Sequence, residues 1–162
     1  AALDVRDFAV DAAAEAAYQQ TVEKTDTLDA ETKRIVYLCN VNGEKKYVLF
    51  VKGMGLWGPV WGYIALNADK TTVYGTYFNH EGETAGLGAE IKDSRNWQNL
   101  FKGKTAYADG KPVLGVKKAN DIRPEEKAST VDAITGATLT SDGVNLMLQS
   151  SPAHSQDYLS AV

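Results

Sequence analysis

A chain of 162 residues, 44% hydrophobic and 23% charged, suits one globular domain with a proper core. Its net charge of -4 and the lack of a basic cluster argue against a nucleic-acid partner. No apolar run reaches the length of a membrane span, and the single cysteine, Cys39, excludes an internal disulfide or a cysteine-held zinc or iron–sulfur cluster within the chain.

The opening Ala1-Ala2-Leu3, without Met, reads as an engineered or processed start rather than a signal peptide. Residues 5–25 are predicted as a helix capped by Asp4, alanine-rich, with Phe8, Ala12, Glu15 and Ala16 on or near one face. Residues 35–41 and 46–51 read as two strands joined at Asn42-Gly43, a strong hairpin signal. Cys39 falls in the first of them and is expected to be buried. Lys45-Lys46 and Lys117-Lys118 read as solvated strand ends. Residues 61–67 and 72–78 form a second hairpin pattern around Ala68-Asp69-Lys70. His80 falls in a polar turn and reads as exposed, too far from His154 to make a local metal pair, and no metal site is predicted.

Residues 83–88 form a glycine-bearing loop that lacks both phosphate-binding signatures, G-K-S/T and G-x-G-x-x-G. Trp97, Leu100 and Phe101 suit a short amphipathic helix ending near Gly103. Residues 104–107 and 113–118 read as strands about Asp109-Gly110, and 121–126 as a charged turn. A helix is predicted over 141–149, where Val144, Met147 and Leu148 keep helical spacing and Thr140, Ser141 and Asp142 are N-cap types. The tail after Ser151 is expected to fray or dock weakly. Strands in a run with helices at both ends predict an α+β fold, a single domain with a twisted antiparallel or mixed sheet. The predicted boundary separates an N-terminal helical segment, 1–28, from the main domain, 29–162.

The most informative stretch is Asp132-Ala133-Ile134-Thr135-Gly136-Ala137-Thr138-Leu139-Thr140. A bare Gly-Ala-Thr triplet is common, but Asp three residues ahead of Thr-Gly makes the run far more specific. It resembles the motif of proteins that carry FMN through a phosphoester to threonine, and the resemblance implies Thr138 as the acceptor. A threonine hydroxyl is a weak nucleophile at its free pKa. A separate flavin transferase must therefore activate it together with a nucleotide donor. Gly136 and Ala137 leave the backbone approachable, and Asp132 supplies a carboxylate for transferase recognition. Thr138 should sit just before a helix N-terminus, where free N–H groups and the helix dipole favour a phosphate.

A second block accompanies it: Gly53-Met54-Gly55-Leu56-Trp57-Gly58, then Glu83-Thr84-Ala85-Gly86-Leu87-Gly88. Order and spacing over positions 45–148 resemble the family of the C subunits of Na+-translocating NADH:quinone oxidoreductases (Nqr). Ala85 stands where that family has proline, and Thr135 where it has serine. The resemblance implies that Leu56, Trp57 and Leu87 pack on the flavin ring. It also implies that the backbone of Glu83, Thr84, Gly86, Leu87 and Gly88 runs along the flavin, and that Thr135, Gly136, Ala137, Leu139 and Thr140 flank its attachment. Trp61 and Tyr63 read equally well as sheet packing, and Thr140 is the fallback acceptor.

By the same resemblance the domain relays electrons from an iron–sulfur neighbour in the Nqr complex to a covalent flavin on the B subunit. It would sit on the periplasmic side of a bacterial inner membrane, behind a single N-terminal anchor. No dinucleotide fingerprint, cysteine cluster or acid–base constellation is present, so the isolated domain is expected to lack NADH dehydrogenase activity. The rival readings are the G subunit of the Rnf electron-transport complex, with the same covalent FMN, and a non-redox ligand-binding or scaffold domain.

Overall fold

The computed structural model describes residues 3–7 and 34–161. Five strands form the main sheet in the order of the chain: β1 (Leu3–Asp7), β2 (Arg34–Val41), β3 (Glu44–Met54), β4 (Pro59–Leu66) and β5 (Val73–His80). β1 runs parallel to β2, and every other pairing in this sheet is antiparallel. This is the mixed sheet with flanking helices that the pattern predicts.

The two hairpins follow from local chemistry. Asn42 (φ 52) and Gly43 (φ 84) take the two positive φ angles that a tight turn between right-twisted strands demands. At the second turn the Asp69 side chain accepts from the N–H groups of Thr71 and Thr72, both at 2.8 Å, and Lys70 takes φ 61. Along β4, Val60, Gly62, Ile64 and Leu66 are buried and the residues between them are half-buried, so one face of the sheet carries the core.

Against that face lies α3 (Thr138–Ser150), which buries Val144, Met147 and Leu148. Each such burial contributes about 1.5–3 kcal/mol. Two short helices, α1 (Glu90–Asp93) and α2 (Arg95–Asn99), and the turn after them close the core beside β5 through Ile91, Trp97 and Phe101. The rings of Phe78, Trp97 and Phe101 stand 5.2–5.6 Å apart in tilted and edge-on arrangements. Leu100, expected on this apolar face, is exposed.

Several expectations are corrected. Leu3–Asp7, including the expected Asp4 cap, is an edge strand in register with β2, not the start of a helix. The remainder of the expected helix, 8–25, lies outside the described residues. The expected hairpin at Asp109-Gly110 shrinks to β6 (Tyr107–Ala108) and β7 (Lys111–Pro112), because Ala106 N–H, which would continue the ladder opposite Val113, donates instead to Thr71 C=O (2.7 Å). The rest of the second predicted strand, β8 (Gly115–Lys117), pairs in parallel with β9 (Thr130–Asp132), a contact that no local pattern announces. Lys46 is buried rather than solvated. Its ammonium donates to Asn67 Oδ1 (2.8 Å), pairs with Glu44 (3.0 Å) and lies 4.4 Å from the centre of the Tyr74 ring. Cys39 is half-buried.

The tail docks firmly. Residues Ser151–Ser155 make a 3-10 turn and α4 (Gln156–Ala161) follows. Ser151 Oγ accepts from Lys52 N–H (3.3 Å), the Tyr107 hydroxyl donates to Pro152 C=O (2.7 Å), and Leu159 joins the core.

Candidate functional site

The Thr-Gly-Ala-Thr run is a turn leading directly into a helix. Ala137 N–H donates back to Ile134 C=O (3.1 Å), and Gly136 occupies the third position of that turn with φ 79. A side chain there would be strained, as at the glycine position of a type II turn. Ser141, in the first turn of α3, accepts from Ile134 N–H through its Oγ (3.2 Å) and ties the turn to the helix. Thr138 is the first residue of α3, one step further in than predicted, and is exposed. Ala137 occupies the N-cap and offers no side-chain bond. Thr140, Ser141 and Asp142, read as cap types, lie inside the helix. The first amides of an α-helix have no intrahelical acceptor, so this N-terminus presents donors and a positive dipole end.

Thr138 borders three cavities. The first, about 270 Å³, is lined by Leu56 and Trp57 from the β3–β4 turn, by Glu83, Thr84, Leu87 and Gly88, and by Gly136, Ala137, Thr138, Leu139 and Thr140. Leu56, Trp57, Leu87 and Leu139 are exposed here, Trp57 by 67%. Large apolar side chains gathered in the open mark a binding surface. Trp61 and Tyr63 alternate with the core residues of β4 and lie on the opposite face of the sheet.

The second cavity, about 350 Å³, holds Asp132, Thr135, Gly136 and Thr138 with Lys118. The third, about 460 Å³, holds Thr138 with Lys117, Lys118, Asp121, Asp142 and Asn145. Asp132 is exposed at the end of β9, and its C=O accepts from Trp97 Nε1–H (2.7 Å). Lys117 pairs with Glu126 (2.6 Å), which also pairs with Arg123 (3.0 Å). The hydrogen bond from Arg123, then that from Lys117, holds the Glu126 carboxyl down at about 2.

Eleven of the fourteen residues singled out by sequence therefore share the first cavity. Asp132 and Thr135 line the second instead. Gly86 lines none of the three cavities: with φ 75 it sets the turn that carries Leu87.

Two singled-out side chains are engaged in the interior. Glu83 is 7% exposed. Its Oε1 accepts from Trp57 N–H (2.8 Å), its Oε2 accepts from the Thr140 hydroxyl, and its own N–H donates to His80 Nδ1 (3.1 Å). Thr140 is 2% exposed, so its hydroxyl is ill placed as a fallback acceptor. His80 is half-buried at the end of β5 rather than loose in a turn.

The close approach of α3 to the sheet was not read from sequence. A Cβ on Gly143 would collide with the Met54 C=O, and one on Gly53 would stand 2.8 Å from Met147 Cβ. A glycine in the middle of a helix costs about 1 kcal/mol in propensity, and that anomaly was the available signal. The contact sets the β3–β4 turn, with Leu56 and Trp57, beside the first turn of α3.

The residues present fit a flavin nucleotide: an apolar, half-open cradle for a ring system, next to an exposed hydroxyl at a helix N-terminus suited to a phosphate. Among the described residues there is no group of three or more His, Cys, Asp or Glu that would hold a metal, and no helix long and apolar enough to cross a membrane.

The profile of the FMN-binding domain matches residues 55–151. The chain is similar to the C subunit of the Na(+)-translocating NADH-quinone reductase of Pseudomonas aeruginosa, at 41% identity over 117 residues, covering 70% of this chain and 44% of that protein. The corresponding C subunit of Haemophilus ducreyi is 35% identical over 145 residues, covering 88% and 55%. The crystal structure of the C subunit from Parabacteroides distasonis superposes with a TM-score of 0.70 at 43% identity, over 76% of this chain and 61% of that one. NqrC of Shewanella oneidensis superposes at 0.61 with 30% identity, over 72% and 55%. The chain spans about half the length of the curated relatives it matches. On the match over residues 55–151, the chain belongs to the FMN-binding domain family, and within that family it is similar to C subunits of Na(+)-translocating NADH-quinone reductases.

Proposed function

We propose that this domain carries FMN as a phosphoester on Thr138 and relays electrons inside a sodium-translocating NADH:quinone reductase, as its C subunit. One observation carries the reading: the exposed Thr138 hydroxyl opens helix α3 at the rim of a cavity walled by Leu56, Trp57, Leu87 and Leu139. Attachment replaces the O–H of Thr138 by an O–P bond to FMN: a flavin transferase takes the hydroxyl proton and breaks the phosphoanhydride bond of a flavin dinucleotide donor, whose nucleoside monophosphate leaves. The bound FMN supplies reversible electron uptake.

The residues of the chain do the rest. The first-turn amides of α3 and Lys118 face the phosphate end. Leu56, Trp57, Leu87 and Leu139 exclude water from the ring end. Asp132, outside the apolar cavity, stays accessible to the transferase. No residue is assigned as a general acid or base.

In the complex, electrons arrive from an iron–sulfur neighbour and leave to the flavin of the B subunit. The domain stands on the periplasmic side of the bacterial inner membrane, and a preceding anchor holds it at high effective concentration near its partners. Co-expression with a flavin transferase tests the reading. Intact mass should rise by one FMN phosphoester, peptide mapping should place it on Thr138, and visible absorbance should survive denaturation. An unmodified mass with active transferase present refutes it. The flavinylated domain alone should not oxidise NADH with a soluble acceptor. Robust turnover dependent on Thr138 would make it a reductase in its own right.

A further inference from the structure

We infer that Glu83 is a positioning residue that fixes the ring-side wall of the cavity to the acceptor helix. This assignment rests on Thr138 as the flavin acceptor. Both carboxyl oxygens of Glu83 turn inward to different partners: Trp57 N–H on the β3–β4 turn (2.8 Å) and the Thr140 hydroxyl, two residues past Thr138. Its backbone is held separately, through its N–H on His80 Nδ1 (3.1 Å) at the end of β5. One buried side chain therefore joins the three segments that wall the cavity.

The packing around it is built for this link. A Cβ on Gly55 would stand 2.6 Å from Glu83 Oε1, and one on Gly88 would stand 2.7 Å from Oε2. A side chain at either position would have to displace the carboxyl group from its two partners, and one at Gly88 would also meet Thr140 Oγ1 at 2.5 Å.

The β3–β4 turn needs such a link. Trp57 presents its side chain to solvent, so the turn gains little from burial, and a turn held by few apolar contacts opens readily. The bond from Trp57 N–H to a buried carboxyl group substitutes for that missing burial. It holds Leu56 and Trp57 at a set distance from Thr138. A cofactor tethered at its phosphate end alone keeps rotational freedom, and a fixed wall removes it.

The test compares the parent with Glu83→Ala, Glu83→Gln and Thr140→Val, each with and without co-expressed flavin transferase. Amide hydrogen exchange is read residue by residue in the flavin-free proteins. Visible circular dichroism is read in the loaded proteins and scaled to the FMN found by mass. Glu83→Ala should speed exchange at Trp57 by about tenfold or more, the scale expected for a hydrogen bond to a charged group, while β4 amides keep their protection. Its flavin dichroism per FMN should fall well below that of the parent. Glu83→Gln keeps an oxygen for Trp57 N–H and should restore both readouts most of the way. Thr140→Val keeps the shape and should give an intermediate loss.

Parent-like exchange at Trp57 and parent-like dichroism in Glu83→Ala would overturn the assignment. So would a uniform rise in exchange over β3 and β4, which would make Glu83 a general stabiliser. If Glu83→Ala does not fold, Thr140→Val decides by the same criteria. If the parent takes no FMN, the function proposed above fails, and the exchange measurement still decides the role of Glu83.

Discussion

The two sides of Thr138 differ in kind. On one side Leu56, Trp57, Leu87 and Leu139 make an apolar wall in which Glu83 and Thr140 are turned inward to each other. On the other side Lys118, Asp121, Asp132 and Asp142 bring charged side chains to two further cavities. A flat aromatic ring gains from the first surface, where water is displaced from apolar area. A charged nucleotide end, and an enzyme that must reach the hydroxyl, suit the second. Thr138 stands on the seam because the chain changes there from turn to helix.

The largest expected effect removes the seam itself. Thr138→Ala should abolish covalent FMN, read as in-gel flavin fluorescence and intact mass. Thr138 is exposed and outside the core, so the substitution should change stability by no more than about 0.5 kcal/mol. Thr135→Ala, on the polar side, should retain attachment. Fluorescence persisting in Thr138→Ala would move the acceptor elsewhere.

Next comes separation of the two sides by force. Gly143→Ala gains helix propensity but drives a methyl group into the Met54 C=O, a backbone atom that cannot swing away. Overpacking of this kind costs about 1–3 kcal/mol, so the thermal midpoint should fall by several degrees. A midpoint equal to or above that of the parent would show that α3 can shift off β3 freely.

A third pair of variants sets one side against the other. Trp57→Ala should leave the thermal midpoint nearly unchanged, since the side chain is largely exposed, but should brighten the attached flavin and weaken its dichroism. An aromatic contact of this kind is worth roughly 0.5–1.5 kcal/mol. Asp132→Ala should do the reverse: slower flavinylation under limiting transferase, with unchanged flavin spectra once loaded. If Asp132→Ala alters the spectra and Trp57→Ala alters the rate, the assignment of the two sides is inverted.

The smallest effect is a titration on the polar side. Glu126 is held at about 2 against an ordinary value of 4.5, first by the Arg123 hydrogen bond and then by Lys117. The folded value is the lower one, so its contribution is complete above pH 4.5 and is lost as pH falls through about 2. Solvent-exposed pairs contribute little. The difference in thermal midpoint between parent and Glu126→Gln should therefore be small at neutral pH and vanish near pH 2. A difference that grows on acidification would contradict the sign.

Much was legible in the chain because its causes are local. Asn42-Gly43 specifies a turn through backbone φ, and the period-two pattern of β4 marks its buried face. The Thr-Gly-Ala-Thr run encodes a turn that needs φ > 0 at Gly136 and then a helix whose apolar spacing begins at Val144. The residues of the first cavity were named from sequence through a family resemblance, which carries spatial information that composition does not.

What tertiary structure alone decided are the contacts made at long sequence separation. Leu3–Asp7 leads into an alanine-rich sequence of high helix propensity, yet pairing with β2 makes it a strand, because a partner strand offers hydrogen bonds that a short helical turn does not. β8 finds β9 across the charged turns that precede it. The tail docks because Tyr107 and Lys52 offer it partners from distant strands. Glu83 looks in sequence like a loop acid facing solvent. It is buried because Trp57 N–H and the Thr140 hydroxyl, far away in the chain, converge on its two oxygens and offset its desolvation.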